Sequence, residues 1–528
     1  METIRPRSPI ARRGSSSTSG RRKSNRWPRR SSRVRSCTSC SRCASDFRSE
    51  RPRRRKRPAS SRMTNSATLP VRAVGDSIVA ALRRANRLVL SADTGSGKST
   101  QVPRILLESG LVPTRERVLV LEPRRLAARL LARRVAEELG GAPGDVVGWQ
   151  TRFERVWSER TRVGFVTEGV FLRKWMDDPA LGGVGAVVLD EFHERSVLAD
   201  LALGLVRRTQ REARPDLKLI VMSATLDAEA LAPALGAERI HAEGRRFPVE
   251  TRHHPPIAGE APWSTASAAL EELIHEGAAP GDVLVFMPGA FEIDRTVETM
   301  SAALARRGER AFVAGLHGSM SPERQDEALQ SRRERRVIVA TNVAQTSITI
   351  DGVATVIDSG TARVFRHDPR RALDSLVLEP ISRAAADQRA GRAGRTRPGN
   401  CVRLWSERDH ASRPEFDEPE IRRVDLCEAL LTVAAALPDG WADIERFEWV
   451  DAPPREHAAQ ARRVLEQIGC LDAGGAVTEI GRRTARLPLH PRLGRALVEA
   501  ERGGAIERTA AWCAIAASRD FVEERDAS

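Results

Sequence analysis

Asp190 and Glu191 stand side by side at the end of an unbroken apolar run, in VGAVVLDEFHER over residues 184–195. A run this short, rich in β-branched residues, reads as a strand buried on both faces of a parallel sheet. In open α/β sheets ligands bind outside the carboxyl ends of the strands, so the two acids point at a crevice. There one carboxylate can hold Mg²⁺ through water while its neighbour polarises an attacking water. An ordinary solvated strand end would look the same, and a phosphate cradle elsewhere in the chain is what separates the two readings.

ADTGSGKST, residues 92–100, is such a cradle. Consecutive backbone N–H groups over Thr94, Gly95, Ser96 and Gly97 can close around phosphate oxygens at the start of a helix that carries Thr100. Lys98 then reaches the β- and γ-phosphates, and the Ser99 hydroxyl ligates Mg²⁺. The usual first glycine of this loop is Ala92 here. With an apolar strand before it at 88–90 and a helical pattern after it at 101–108, the loop defines a nucleoside triphosphate site, with ATP and Mg²⁺ as the expected ligands.

The elements that must position these residues alternate between strand and helix. An apolar strand at 118–121 ends in Glu-Pro-Arg-Arg, and a helix over 126–139 puts Leu126, Leu130, Leu131, Val135 and Leu139 on one stripe. Arg124 and Arg125, at that strand's carboxyl end, can meet phosphates or simply face solvent. Thr167-Glu168-Gly169 opens a further helix, and a strand at 219–222 ends in Ser223-Ala224-Thr225, whose hydroxyls face the same crevice. This is the grammar of one doubly wound α/β domain. After a Pro-containing linker near 244–262 it restarts, with strands at 283–286, 337–340 and 356–358 and no second phosphate loop. Instead the second domain carries QRAGRAGR, residues 388–395, whose Arg389, Arg392 and Arg395 at a spacing of three predict one cationic helical edge. Such an edge is either solvated or a set of arginine fingers for the transferring phosphoryl group.

Between these elements, 364–378 reads as a protruding hairpin around Asp368-Pro369-Arg370-Arg371. Beyond 410 the pattern turns helical, with Val424, Leu426, Leu430, Leu431 and Val433 in one segment and a second helix near 458–468. A turn at Asp472-Ala473-Gly474-Gly475 between two short strands would complete a winged-helix order. Another helical segment begins at Pro491.

Charge narrows the partners. Of the net +16, residues 1–62 hold a balance of +18, from 21 basic and 3 acidic side chains. The body of the chain is therefore near neutral at −2, and any nucleic-acid site in it is a local groove. The Arg/Ser-rich arm is either a disordered segment that binds RNA phosphates or an over-extended start, with Met63 as the initiator. Seven cysteines form no disulfide framework, and Cys37, Cys40 and Cys43 lack a nearby fourth ligand for zinc. No apolar run approaches a membrane span and no secretory h-region is present, so a cytoplasmic protein is expected.

With these residues in place the chain resembles superfamily 2 helicases of the DEAH/RHA group, in particular the bacterial HrpB-type branch, over residues 68–528. The motifs run in family order: ADTGSGKST, LEPRRLAAR, TEGVFLR, DEFHER, SATL, LVFMPGAFEI, LHGSMSPERQ, ATNVAQTSITIDG and QRAGRAGR. The resemblance implies two tandem RecA-like domains over 67–243 and 244–410, after a basic tail over 1–66. A winged-helix-like module over 411–490 and a truncated helical domain over 491–528 follow. It further implies an ATP-dependent RNA helicase that moves on or remodels single-stranded RNA. By position Asp190 holds the metal, Glu191 is the general base and lies at the metal, Gln388 helps orient the attacking water, and Arg392 and Arg395 are the fingers. Arg124, Thr167 and Thr341 fall in motifs that touch the nucleic-acid backbone, and His193, Ser223 and Thr225 couple hydrolysis to domain movement. Three departures stand out. Gln345 replaces a usual Glu in the ATNxAETS motif, the helical domain is short, and the family's OB-fold and C-terminal extension are missing. The rival reading is a nucleic-acid-binding assembly factor without productive unwinding. It has no physical need for Lys98, Glu191, Arg392 and Arg395 together.

Overall fold

The computed structural model describes residues 69–517 apart from 94, 225–227, 245–246, 347–349 and 369–372. The expectations for residues 1–62, for Cys37, Cys40 and Cys43, for Thr94 and Thr225, and for the hairpin tip at Pro369-Arg370-Arg371 lie outside the described residues.

Eight strands come first: β1 (Arg87–Ala92), β2 (Arg117–Glu122), β3 (Val147–Gln150), β4 (Arg155–Val156), β5 (Val163–Thr167), β6 (Val184–Leu189), β7 (Lys218–Ser223) and β8 (Glu238–Ala242). They form one sheet in the order β4-β3-β5-β2-β6-β7-β1-β8, in which only the β3–β4 pair runs antiparallel. Every residue of β6 is buried, as its continuous apolar run requires of a strand with helices on both faces.

A second group follows: β9 (Val249–His253), β10 (Asp282–Phe286), β11 (Ala311–Leu316), β12 (Arg335–Ala340), β13 (Val353–Asp358), β14 (Thr361–Asp368), β15 (Leu373–Pro380) and β16 (Gly399–Arg403). Six of these make a parallel sheet in the order β11-β12-β10-β13-β16-β9, and β14 and β15 form a separate antiparallel hairpin. The two parallel sheets with their helices are two RecA-like domains, followed by a helical C-terminal region.

Three expectations are corrected. The stretch 244–262 is not only a linker, because β9 pairs with β16 at the edge of the second sheet. Its sequence hides this, since alternation of the form VETRH buries little at an edge. The apolar stripe of the helix Arg125–Glu138 is split between two cores. Leu131 and Val135 pack on the first sheet, whereas Leu126 and Leu130 pack with the core of the second. Arg129 and Arg133 on the same helix both reach Asp326, at 3.0 and 2.9 Å, so this helix is the seam between the domains. Finally, the two short strands expected around the turn at 472–475 reduce to one bridge, Leu471 with Val477.

The helical region is seated on the first domain, not beside it. Leu430, Leu431, Trp441 and Leu465 share one buried cluster with Phe171, Leu201 and Leu205. At Gly204 a Cβ would lie 2.4 Å from a ring carbon of Phe447, so a side chain there would push the two regions apart. The hairpin is tied to the same region: the His367 backbone N–H donates to Arg423 O at 2.7 Å, and the ring Nδ1 lies 3.8 Å from Asp425 Oδ2.

Candidate active site

The phosphate loop leaves β1 and enters the helix Lys98–Glu108. Gly95 and Gly97 take φ of +87° and +86°, which only glycine adopts without cost, and a Cβ at Gly97 would sit 2.9 Å from Leu69 Cδ1. The loop therefore turns its backbone N–H groups inward at a helix N-terminus, an anion site by construction. Ser96 Oγ is buried there without a hydrogen-bond partner.

Asp190 and Glu191 close the floor. Both are buried, Asp190 Oδ1 accepts the Glu191 N–H at 2.8 Å, and Asp190 Oδ2 has no hydrogen-bond partner. Glu191 has φ of +49°; among the described non-glycine residues only Leu181 and Arg195 share that region, and Arg195 ends the same short 3₁₀ turn. Holding a non-glycine residue in that region costs on the order of 1 kcal/mol, tolerated where the surroundings over-determine the turn. Lys98 Nζ lies 3.4 Å from Glu191 Oε2, and His193 Nε2 lies 3.5 Å from the same oxygen. Burial, then the Glu191 charge, push the Asp190 carboxyl up to about 6, with Lys98 pulling the other way. Burial also holds the His193 imidazole below its usual value, while its Nδ1 accepts the Ala224 N–H at 3.3 Å. That contact joins the end of β6 to the end of β7, where Ser223 is buried.

A third carboxylate at this floor escaped the sequence reading. Glu122 ends β2, is completely buried, and is pushed well above the usual carboxylate range by burial and by the Asp190 and Glu191 charges. The signal was available, because Glu122 ends its strand much as Asp190 ends β6, and the Asp190 N–H donates to Leu121 O at 3.0 Å.

The second domain reaches this floor through the end of the helix Arg383–Ala390. The single cationic edge expected of Arg389, Arg392 and Arg395 does not form, because the helix stops at Ala390. Arg389 turns inward, donating to Asp358 Oδ1 at 2.8 Å with both side chains 1% exposed, and covering the Phe286 ring. Arg392 is buried and its Nε donates to the Gln345 carbonyl at 2.8 Å. Arg395 lies against the phosphate loop, its Cγ 3.9 Å from where a Gly95 Cβ would be. Burial lowers both arginines, Arg395 to about 10, and the Glu191 charge opposes this in each. Gln388, on the same helix, accepts from Gln345 Nε2 at 3.3 Å.

The expected backbone-contact residues are dispersed. Arg124 is held within the protein, donating to Thr346 Oγ1 at 2.6 Å and to Glu194 Oε2 at 3.0 Å, and Thr346 in turn donates to Glu194. These three make a polar clasp across the two domains. Thr341 Oγ1 accepts from the Val343 N–H at 3.5 Å, capping a short turn after β12, and Thr167 precedes the helix Glu168–Asp177.

Glu168 gives a stability signature. Its carboxyl is pushed up to about 8, chiefly by burial, while the Ser196 hydroxyl, donating at 2.6 Å, offsets part of that. An acid whose folded pKa exceeds its unfolded one is deprotonated first in the unfolded chain, so it stabilises least at high pH. Stability should fall as pH rises from about 4.5 to about 8, by at most about 1.4 kcal/mol per pH unit for this group. Urea unfolding across that range should show a shallower decline in Glu168→Gln; equal slopes would mean the buried carboxyl does not titrate there.

A P-loop on one parallel sheet facing arginines from a second defines the tandem RecA-like class. The DEAD/DEAH box helicase family model matches residues 72–232 and the helicase conserved C-terminal domain matches 265–397, together more than half the chain. The chain belongs to the DEAD/DEAH box helicases. It is 40% identical over 439 residues to the ATP-dependent RNA helicase HrpB of Escherichia coli (strain K12), covering 82% of this chain and 53% of that protein. It is 37% identical over 455 residues to the ATP-dependent RNA helicase HrpA of the same organism, covering 84% of this chain and 34% of that one. The crystal structure of the Escherichia coli DEAH/RHA helicase HrpB superposes with a TM-score of 0.80 at 38% identity, covering 86% of this chain and 57% of that chain. The chain thus spans between a third and somewhat over half of these relatives' lengths. Among the described residues no helix is long and apolar enough to cross a membrane.

Proposed function

We propose that this chain is an ATP-dependent RNA helicase, or at the least an RNA-stimulated ATPase, hydrolysing ATP to move on or remodel single-stranded RNA. The observation that carries the reading is the approach of Arg392 and Arg395 to the same floor as Lys98 and Glu191, from the other domain. The residues fit ATP with Mg²⁺: an inward-turned glycine loop, a buried unpartnered Asp190 oxygen and the Ser99 hydroxyl form a phosphate and metal cradle. Ser99 and Asp190 would hold the metal, which supplies neutralisation of the phosphate charge.

The remaining roles belong to the chain. Lys98 leaves Glu191 for the phosphates, which frees the carboxylate to accept a proton from the attacking water. Arg392 and Arg395 hold the charge that develops on the γ-phosphoryl oxygens. Because they arrive from the second domain, closure assembles the site and product release relaxes it. His193 and Ser223 carry that change to β7, and the clasp of Arg124, Glu194 and Thr346 would exchange its internal bonds for contacts to RNA phosphates. Thr167 and Thr341 are read as further contacts to the RNA backbone. The module over 411–490 is read as winged-helix-like, with a reduced wing.

The deciding experiment measures ATPase rate of the purified chain with and without single-stranded RNA and DNA, with Lys98→Ala as the inactive control. RNA stimulation supports the reading; no ATP turnover under any condition would leave the assembly-factor alternative. The basic arm has its own expected outcome in the same assay. Deleting residues 1–62 should flatten the dependence of RNA affinity on salt, by about 0.7 in log–log slope for each phosphate the arm neutralises, with saturated turnover unchanged. Equal slopes would show that the arm does not touch RNA.

A further inference from the structure

We propose that Glu420, in the helical region, is a positioning residue for hydrolysis. It clamps the far end of the turn that begins at Glu191, so the docked helical region sets where the general base stands. The proposal rests on the ATPase reading above and deepens it.

The turn needs holding from outside. Glu191 and Arg195, its two ends, both have φ of +49°, and neither is glycine. Within it the Glu194 N–H donates to Glu191 O at 2.9 Å and the Arg195 N–H to Phe192 O at 3.0 Å. Two such bonds, about 1 kcal/mol each, do little more than offset a left-handed residue at each end, on the order of 1 kcal/mol apiece. Ties at the ends therefore decide where the turn stands.

At the Arg195 end those ties reach across from the helical region. The Glu420 N–H donates to Arg195 O at 3.0 Å, and the Val197 N–H donates to Glu420 Oε2 at 3.0 Å. One residue thus grips the chain on both sides of Ser196. Val197 opens the helix Val197–Glu212, and its N–H has no partner within that helix, so a carboxylate suits it by hydrogen bonding and by charge. Beside this clamp Arg195 Nη2 donates to Asp451 Oδ2 at 2.6 Å, also in the helical region, and to Asp200 Oδ2 at 3.1 Å. Glu420 is itself anchored, because Ile421 next to it is fully buried in the cluster that holds Phe192 and Val197.

Only Phe192, His193 and Glu194 separate the clamped end from Glu191. Phe192 is buried in close packing, so a shift at Arg195 is passed along the turn rather than absorbed. Without the Glu420 carboxylate, the turn can relax toward less strained backbone and carry the Glu191 carboxylate off the attacking water. The phosphate loop grows from β1 and its own glycines, so nucleotide binding is spared.

The test compares the full chain with Glu420→Ala, Glu420→Gln, Asp451→Ala, Lys98→Ala, Glu191→Gln and the Glu191→Gln/Glu420→Ala double variant, in ATP hydrolysis and thermal unfolding. Below every Tm, Glu420→Ala should lower kcat by about 10-fold or more and leave the KM for ATP within about twofold, as for a misplaced group rather than a lost binding contact. Glu420→Gln keeps an oxygen for the Val197 N–H and should bring kcat back to within about threefold of wild type. Added to Glu191→Gln, the Glu420→Ala change should alter single-turnover hydrolysis by less than about twofold, because the base it positions is gone. A merely structural role would lower Tm and leave the turnover of folded molecules alone. Asp451→Ala removes a second tie to Arg195 and should lower kcat by about threefold at unchanged KM, which decides the matter if Glu420→Ala does not fold. Wild-type kcat in Glu420→Ala, equal losses in the Ala and Gln variants, or the full Glu420→Ala loss persisting beside Glu191→Gln would each overturn the proposal. So would wild-type kcat in Asp451→Ala where Glu420→Ala fails to fold. Wild-type turnover in Lys98→Ala would instead sink the ATPase reading itself.

Discussion

Arg395→Ala lowers kcat by roughly 10³-fold or more, as loss of an arginine finger does, and leaves nucleotide-free RNA affinity nearly unchanged. The expectation rests on placement: the side chain lies against the phosphate loop, and the Glu191 charge acts on its guanidinium. Arg392→Ala should fall as far in turnover but is the less clean experiment. Its Nε also satisfies the partly buried Gln345 carbonyl, so removal leaves that acceptor short of a partner at a cost of about 1 kcal/mol. Comparing kcat with urea midpoints separates the two effects, and only Arg395→Ala should lose turnover at full stability. A loss of RNA affinity with normal turnover would move both arginines out of the ATP site.

Glu191→Gln should bind ATP at least as well as the wild type and hydrolyse it about 10²- to 10⁴-fold more slowly. The amide fills the same space but is a far weaker base. Binding is preserved because Lys98, which lies 3.4 Å from Glu191 Oε2, loses a competing partner for the phosphates. Lys98→Ala should instead weaken binding and hydrolysis together, since it removes the charge that the phosphates meet. Fluorescent-nucleotide titration beside single-turnover hydrolysis distinguishes the two patterns. Hydrolysis at the wild-type rate in Glu191→Gln would require another base at this floor.

The outline of the site was present in the sequence. Glycine at 95 and 97 beside Lys98 has a local cause, a loop of positive φ at a helix start, and Asp190 and Glu191 follow directly from where an apolar strand stops. Alternation of strand and helix likewise announced two parallel sheets, because each central strand must be apolar throughout to lie between helices. Edge strands such as β9 were missed, since half-exposed residues leave no such mark.

What the sequence could not settle is which way a side chain turns once the chain is folded. A spacing of three suggested that Arg389, Arg392 and Arg395 act alike, yet the helix stops at Ala390. Arg389 then pairs inside with Asp358, while the other two face the nucleotide floor. Arg124 carried the mark of a phosphate contact, and tertiary structure gives it to Glu194 and Thr346. Gln345 read as a departure that weakens a contact within its motif; the folded chain instead sets its amide between Arg389 and Gln388 on another helix. The physical reason is common to all three. Periodicity and strand ends are local properties of the chain, whereas the partner of a buried polar group is chosen by segments tens to hundreds of residues away, and only packing brings those segments together.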